Sequence, residues 1–220
     1  MARNLNFDRK PAQSGQAKSL VIFLHGYGAN GADLLGLADV LAPYLPDTSF
    51  AAPDAPDRVP GAPFGFQWFP IPRYDGSSQA EMHAGLLQAA DDLTAFLHAR
   101  AADEALPLAS CAFVGFSQGA MMALHVAPRL DQTMAAVVSI SGMLMLPESL
   151  DAEALSKPPV MLIHGDQDEV VDFENLDRAG NALTSAGFST YAHVMKGMGH
   201  GISQDGLQVT LDFLSTCLAD

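Results

Sequence analysis

Ser117 stands at the centre of the segment Gly115-Phe116-Ser117-Gln118-Gly119, between an apolar run and a stretch with helical spacing. Gly-x-Ser-x-Gly in that context is typical of a nucleophile elbow, a sharp strand-to-helix turn that exposes the serine hydroxyl and requires small residues beside it. The same pattern also occurs by chance in ordinary turns. Because a serine hydroxyl alone is a weak nucleophile, the interpretation requires a base and an orienting acid from elsewhere in the chain.

Two aspartates, Asp166 and Asp168, compete for the role of the acid. Both follow the apolar run 160–163, in His164-Gly165-Asp166-Gln167-Asp168. When an elbow serine is part of a triad, the acid and then the histidine follow it along the chain, each on a loop after a strand. A residue several positions past the strand can return toward the histidine, whereas a nearer one is suited to cap the turn. We therefore favour Asp168.

His200 is the histidine best placed to act as the base. It follows the apolar run 191–194 and lies in Gly197-Met-Gly-His-Gly201, where the glycines free the backbone to place the ring. The alternative is a loop histidine without a role. Of the others, three lie in helical patterns, one lies in a strand pattern and two precede glycines as turn residues, and none has metal-ligand spacing. These are, in that order, His83, His98, His125, His193, His25 and His164.

These residue types together predict acyl transfer from an ester. His200 would take the proton of Ser117 and later return it to the leaving group, while Asp168 fixes the imidazole tautomer. The oxyanion of the tetrahedral intermediate needs backbone donors. One is the amide of Gln118, and the second is expected from the glycine-rich loop His25-Gly26-Tyr27-Gly28 after an early strand.

Alternating apolar runs and helical repeats must position these residues. Buried strands are predicted at 19–24, 48–52, 111–114, 135–140, 160–163 and 191–194, and helices at 33–44, 78–105, 120–125, 172–186 and 204–218, with Asp33 as an N-cap. The segment after Pro53 is rich in proline, glycine and aromatic residues and is predicted to be a long functional loop. The pattern predicts an α/β fold with a mostly parallel sheet covered by helices on both faces, as one domain over residues 1–220.

A rival interpretation concerns the same early loop. Gly26, Gly28 and Gly31 satisfy the Gly-x-Gly-x-x-Gly pattern of a dinucleotide-binding turn, with Asp54 as a candidate ribose partner. That hypothesis leaves His25 unexplained and makes the features around Ser117, Asp168 and His200 coincidences. A third hypothesis, an inactive hydrolase-like binding protein, requires a damaged triad, and none is found.

Charge and composition exclude several function classes. The 11 basic and 25 acidic residues give a formal net charge of −14 without a basic block, which disfavours nucleic acid and anionic membrane surfaces as partners. The first 20 residues lack the apolar core of a secretory signal, and the apolar runs are shorter than the roughly 20 residues that span a bilayer. A cytoplasmic location is expected. Cys111 and Cys217 are expected to be free thiols.

Seven segments together resemble the carboxylesterase, lysophospholipase and acyl-protein thioesterase family of small α/β-hydrolases. The similarity runs from about Leu20 to the C-terminus. It implies an α/β-hydrolase fold, catalysis by Ser117, Asp168 and His200, oxyanion amides at Tyr27 and Gln118, no metal and no organic cofactor. Glu169 departs from the proline that is common beside the acid. The segments are Leu24-His-Gly-Tyr-Gly28, Ala52-Pro-Asp-Ala-Pro56, Trp68-Phe69, Gly115-Phe-Ser-Gln-Gly119, Ser141-Gly142, His164-Gly-Asp-Gln-Asp168 and Gly199-His200.

An apolar pocket should accept the acyl group. The candidates for its wall lie in loops expected at the active edge of the sheet, although each is equally suited to the core. The connection 143–159 is too short for a large cap domain, so we expect an open site for short-to-medium acyl esters, with thioesters or lysophospholipids as alternative substrates. An apolar rim would also suit a weak homodimer. The candidate wall residues are Phe66, Trp68, Phe69, Met143, Leu144 and Val171.

Overall fold

A seven-stranded sheet lies at the centre of the computed structural model, which describes residues 2–62 and 64–219. Two further short strands, the fourth and fifth in the chain, pair only with each other. In order, the strands of these described residues are β1 (Phe7–Lys10), β2 (Ser19–Leu24), β3 (Thr48–Pro53), β4 (Asp57–Arg58), β5 (Phe66–Gln67), β6 (Cys111–Phe116), β7 (Ala136–Ile140), β8 (Val160–Gly165) and β9 (Thr190–Met195).

The large sheet has the order β1-β3-β2-β6-β7-β8-β9. All neighbours are parallel except β1, which runs antiparallel to β3 with Phe7 opposite Pro53. The α-helices of the described residues lie between the strands, except the last, which follows β9. They are α1 (Gly31–Leu35), α2 (Leu37–Leu41), α3 (Pro72–Asp75), α4 (Gln79–Asp103), α5 (Gln118–Val126), α6 (Leu150–Glu153), α7 (Glu174–Ser185) and α8 (Gln204–Cys217). This is the predicted α/β-hydrolase arrangement. In the described chain only one 3-10 turn (Pro147–Ser149) and the short α6 lie between β7 and β8, so no large cap is inserted there.

Both faces of the sheet are buried under helices. In β2, Leu20, Ile22 and Leu24 pack into one apolar cluster with α4, α5 and α7, whereas Val21 and Phe23 pack into a second cluster with α1, α2 and α8. Successive side chains of a strand point to opposite faces, so a continuous apolar run is what a doubly covered strand needs. The carboxyl ends of the parallel strands are thereby held in fixed positions along one edge.

The first predicted helix is wrong in its start and its continuity. Asn30, not Asp33, is the N-cap of α1, and Asp33 completes a capping box from the third helical position. The predicted single helix 33–44 is two short helices that meet at Gly36. The long crossover helix predicted at 78–105 is observed as α4 (Gln79–Asp103), and Ser78 caps it through a capping box with Glu81.

The segment after Pro53 was predicted as a loop without elements, and this is wrong. It contains the β4–β5 pair and the helix α3, whose Asp75 accepts hydrogen bonds from the amides of Ile71 and Ser77. These elements are two to four residues long, too short to give a periodic pattern. The edge strand β1 was also missed, because Phe7-Asp-Arg-Lys10 has no apolar alternation.

Candidate active site

The backbone at Ser117 has the strained geometry of a nucleophile elbow. Its φ and ψ are 54° and −119°, in a region that residues other than glycine rarely occupy. The turn is held because the Ser117 amide donates to the carbonyl of Ile140, 2.9 Å away. A Cβ atom on Gly119 would lie 1.9 Å from the carbonyl oxygen of Leu24, and one on Gly115 would lie 2.5 Å from the amide of Ala120. The two glycines of the motif are therefore needed for close packing of α5 against β2 and of β6 against α5.

The structure brings the three predicted triad side chains together. Nε2 of His200 lies 2.9 Å from Oγ of Ser117, and Nδ1 of His200 lies 2.7 Å from Oδ2 of Asp168. Ser117 follows β6, Asp168 follows β8 and His200 follows β9, so all three come from one edge of the sheet. The His200 ring also contacts Phe116, with 4.9 Å between ring centroids. This arrangement can pass a proton from the hydroxyl to the imidazole.

Asp168 is buried and is held in its ionised form by its neighbours. Oδ1 accepts hydrogen bonds from the amides of Val170 and Val171, both at 2.9 Å. Burial alone would raise the pKa of Asp168, but the hydrogen bonds from His200 and these two amides outweigh it and lower that pKa below its ordinary value. A carboxylate is therefore available to orient His200 and to stabilise its protonated form.

Asp166, the competing aspartate, has a different position. Its Oδ1 accepts from the amide of Gly197 at 2.7 Å, and its Oδ2 lies 3.5 Å from Nζ of Lys196. Gly197 has a φ of +69° and begins the turn that leads to His200. Asp166 thus supports the histidine loop from outside, and within the described part of the chain it forms no hydrogen bond or ion pair with the His200 imidazole.

Two other buried histidines have structural partners near the site. Nε2 of His25 accepts from the amide of Ala55 at 2.9 Å, so Nδ1 must carry the proton that it shares with the carbonyl of Gly26. Burial lowers the pKa of His25, in keeping with this neutral tautomer. His164 places Nε2 2.9 Å from the carbonyl of Val171 and 3.4 Å from Oδ2 of Asp168, so it fastens the acid loop. The sequence pattern indicated turn residues at both positions, and the side-chain contacts of these histidines show that this interpretation is incomplete.

The two expected oxyanion donors lie on facing segments. Tyr27 and Gln118 both line the cavity that contains Ser117. Among residues 2–62 and 64–219, no backbone carbonyl accepts a hydrogen bond from either amide. A Cβ atom on Gly26 would lie 3.2 Å from Cβ of Ser117, so glycine allows this loop to approach the nucleophile closely.

The glycines of the rival dinucleotide pattern also have explanations within this fold. A Cβ atom on Gly31 would lie 2.3 Å from the carbonyl oxygen of Ala52, and Gly28 has a φ of +81°. Asp54, the candidate ribose partner, accepts a hydrogen bond from the amide of Gly31 at 2.9 Å. The carboxylate therefore caps the start of α1, and nothing in the pattern remains to be explained by a nucleotide.

A mainly apolar cavity of about 530 Å³ opens at the triad. Of the predicted acyl-binding residues, Met143 and Val171 line it, and Leu144 lines a smaller adjacent cavity of about 230 Å³ that Met143 shares. Trp68 and Phe69 are instead fully buried in the core, and Phe66 is half-buried and packs against the same core. None of these three aromatic residues lines the cavity.

Several cavity residues were missed in the sequence. Ile71, Arg73 and Tyr74 come from the segment around α3, and Met121 and Asn175 come from the first turns of α5 and α7. The Tyr74 ring lies 5.4 Å from that of Tyr27. The only sequence signal for the α3 group was its position in a long loop between a strand and a helix, which favours function but does not show which side chains face the site.

A model of the phospholipase/carboxylesterase family matches residues 11–218. The chain belongs to this family. The crystal structure of esterase PE8 is similar over 98% of this chain and 100% of that chain, with a TM-score of 0.93 and 43% identity. Esterase YpfH of Escherichia coli is 27% identical over 205 residues, 93% of this chain and 83% of that protein. Acyl-protein thioesterase 1 of Neurospora crassa is 29% identical over 216 residues, 89% of this chain and 85% of that protein.

Family membership confirms the resemblance seen in the sequence and makes this phospholipase/carboxylesterase family member a hydrolase of ester bonds. Within residues 2–62 and 64–219, no helix is both long and apolar enough to cross a bilayer. The same described residues contain no cluster of three or more His, Cys, Asp or Glu side chains that could hold a metal ion.

Proposed function

We propose that this chain is a carboxylesterase that cleaves short-to-medium acyl esters through an acyl-enzyme on Ser117. The observation that supports the proposal most strongly is the continuous hydrogen-bonded series from Oγ of Ser117 through His200 to Asp168, at 2.9 and 2.7 Å. These distances are within hydrogen-bonding range without any movement of the side chains. The series ends in the apolar cavity, where a substrate carbonyl can meet the hydroxyl.

In the first step, Nε2 of His200 takes the proton of Ser117 as Oγ attacks the carbonyl carbon of the ester. The imidazolium that forms is stabilised by Asp168, whose lowered pKa keeps it ionised at neutral pH. The tetrahedral intermediate collapses when His200 gives its proton to the alcohol oxygen, which leaves. The acyl group then remains on Oγ of Ser117.

In the second step, water replaces the alcohol. His200 removes a proton from the water, the hydroxide attacks the acyl carbon, and the proton is returned to Oγ as the carboxylic acid leaves. The oxyanion of each intermediate would accept hydrogen bonds from the amides of Tyr27 and Gln118. Such donors are already oriented before the reaction, so they stabilise the transition state without reorganisation.

The cavity supports an acyl chain of limited length. A volume of about 530 Å³ is within the range of sites for small ligands, and the wall near Ser117 is formed by Met121, Met143 and Val171. Methionine side chains are flexible enough to pack around acyl groups of different shapes.

A single catalytic domain is supported by the packing of the core. Both apolar clusters pack on the same seven-stranded sheet.

A thioester is the second candidate substrate, because relatives over most of the chain are named acyl-protein thioesterase. The same triad attacks either carbonyl, and a thiolate leaves without needing full protonation. Oxygen esters depend more strongly on the acid function of His200, so the two substrate classes are separable by experiment.

The test is the hydrolysis of nitrophenyl esters from acetate to palmitate, with matched acyl thioesters, by the wild type and Ser117→Ala. We expect a maximum at short-to-medium chains, loss of at least about 10⁴-fold in kcat for Ser117→Ala, and fluorophosphonate labelling only of the wild type. Unchanged thermal unfolding would show that the variant is folded. Turnover by Ser117→Ala at the wild-type rate would overturn the proposal, and a clear preference for thioesters would change the substrate class.

A further inference from the structure

The side chain of Gln118 forms two hydrogen bonds that no oxyanion role requires. Its Oε1 accepts from the amide of Trp68 at 2.8 Å, and its Nε2 donates to the carbonyl of Phe69 at 2.7 Å. Gln118 is 1% exposed, so its carboxamide is shielded from water and depends on these partners. Only a side chain with one acceptor and one donor, spaced as in an amide, can bind both backbone groups.

The loop that Gln118 binds is itself paired with the loop that carries Tyr27. The amide of Gly28 donates to the carbonyl of Phe66 at 2.8 Å, and the amide of Phe66 donates to the carbonyl of Ala29 at 2.9 Å. Nε1 of Trp68 donates to the carbonyl of His25 at 2.9 Å. These three bonds hold the segment 25–29 on both sides of Tyr27.

We propose that the Gln118 side chain is a positioning residue for the oxyanion hole. Its backbone amide supplies one donor directly, while its carboxamide fixes Trp68 and Phe69 and, through them, the segment that presents the Tyr27 amide. One residue thereby sets the distance between the two donors. The inference rests on the acyl-enzyme mechanism proposed above and deepens it.

The segment needs such support because its own sequence gives it little stiffness. Gly26 and Gly28 flank Tyr27, and glycine restricts the backbone less than any other residue. Oxyanion donors must be held within about 0.5 Å of their productive position. Hydrogen bonds from 66–68 provide that restraint, and the Gln118 carboxamide connects it to the elbow, which carries the nucleophile.

The experiment compares the wild type with Gln118→Met, which keeps the length of the side chain but loses both hydrogen bonds. Two ligands with the same alkyl chain are used. The first is a trifluoromethyl ketone: Oγ of Ser117 attacks its carbonyl carbon, His200 takes the serine proton, and the carbonyl oxygen becomes an oxyanion. The second is the alcohol made by reducing that ketone, which forms no adduct. We expect kcat and ketone affinity to fall together by about 10- to 100-fold, with KM and alcohol affinity nearly unchanged.

Two further variants keep the test decisive if Gln118→Met does not fold. Trp68→Phe removes the indole donor to His25 together with part of a buried ring, and it leaves both hydrogen bonds of the Gln118 side chain in place. It should give a smaller loss with the same pattern. Gln118→Glu has one acceptor and one donor only when its carboxyl is protonated. As the pH is lowered, its kcat relative to that of the wild type at the same pH should therefore rise above the relative kcat of Gln118→Met. A role in stability alone would lower the unfolding temperature of these variants without separating ketone from alcohol affinity.

The outcomes distinguish this inference from the proposed function. If the ketone does not inhibit the wild type, the acyl-enzyme mechanism itself fails. If the wild type is inhibited but Gln118→Met and Trp68→Phe bind the ketone as tightly as the wild type does, only the positioning inference is overturned. If lowering the pH does not raise the relative kcat of Gln118→Glu above that of Gln118→Met, the inference is also overturned, because the hydrogen bonds would then not be the cause.

Discussion

Among the described residues, two aspartates have fully buried side chains and cationic or ionisable partners, yet their surroundings differ. Asp168 accepts from His200 and from two backbone amides. Asp92, in α4, accepts from Nε and from the backbone amide of Arg3, at 2.8 and 2.6 Å, and from the Gln88 side chain at 3.2 Å. The side chains of Asp168 and Asp92 both have 0% exposure.

The difference lies in what the partner can do. An arginine remains protonated in proteins, so the pair of Arg3 and Asp92 has one state and can only hold the segment near the N-terminus against α4. A histidine gains and loses a proton near neutral pH, and His200 has Ser117 on its other nitrogen. A buried carboxylate thus indicates a reactive site only where its partner can change protonation and a cavity adjoins it.

The largest expected effect is on kcat, and it should occur for only one of the two aspartates. Asp168→Asn offers His200 an amide donor, which favours the tautomer that cannot accept the Ser117 proton, so kcat should fall by about 10⁴-fold. Asp92→Asn should leave kcat and KM unchanged, because Asp92 does not line the cavity. Steady-state kinetics with a nitrophenyl ester measures both, and equal losses of activity would contradict the distinction.

Breaking the ion pair of Arg3 and Asp92 should change the free energy of unfolding rather than the activity. Arg3→Ala leaves the buried Asp92 carboxylate without its cation, but the Arg3 side chain is 40% exposed and its charge is partly screened by solvent. The free energy of unfolding should therefore fall by about 1 to 2 kcal/mol. Arg3→Lys, the matched control, keeps the charge but not the planar donor pair and should lose less. Urea unfolding gives both values. A stability of Arg3→Ala equal to that of the wild type would show that Asp92 finds another partner.

His125 is a third buried ionisable group, and it differs from both aspartates because neither of its ring nitrogens has a hydrogen-bond partner among residues 2–62 and 64–219. Burial, aided by the charge of Arg129, lowers the pKa of His125 from 6.5 to about 4. Between those values the unfolded chain binds a proton that the folded chain does not. Stability should therefore fall as the pH decreases from 6.5 to 4, by at most about 3 kcal/mol from this group.

His125→Leu should remove that part of the pH dependence. The effect is distinct from that of Asp168, whose lowered pKa contributes stability that is lost only below its ordinary value of 3.8. Urea unfolding at pH 7, 5.5 and 4.5 compares the two chains. The same decrease in both would show that other groups cause the acid sensitivity.

The smallest effect is expected at Asp166, the neighbour of the catalytic candidate in sequence. Asp166→Asn retains an oxygen that can accept from the amide of Gly197, so the turn before His200 should persist. We expect kcat to change by only a small fraction of the loss in Asp168→Asn, measured with the same ester. A loss as large as that of Asp168→Asn would show that the acid function does not belong to Asp168 alone.

The fold and the three triad candidates could be predicted because their signals are local or ordered along the chain. The run Ser19–Leu24 was predicted with the bounds that the structure shows, since a doubly covered strand needs an unbroken apolar sequence. Ser117, Asp168 and His200 follow strands in the order that the elbow requires, and the parallel sheet then brings them to one edge.

The remainder depends on contacts that no local pattern encodes. Arg3 and Asp92 are 89 residues apart, and nothing in either segment indicates the other. Apolar character alone did not separate Trp68, which lies in the core, from Met143, which lies on the cavity wall. The direction of Arg73 and Tyr74 depends on α3, a helix of four residues whose position is set by the loops around it.

Intact-protein and peptide mass spectrometry, on the protein mixed with a slowly deacylated nitrophenyl ester, shows directly which residue carries the acyl group. We expect a single added acyl mass in the wild type, located on the peptide that contains Ser117, and no adduct in Ser117→Ala. Two results would contradict the assignment of Ser117 as the nucleophile. One is rapid turnover by a wild type whose acyl group is found on another residue, and the other is rapid turnover by Ser117→Ala.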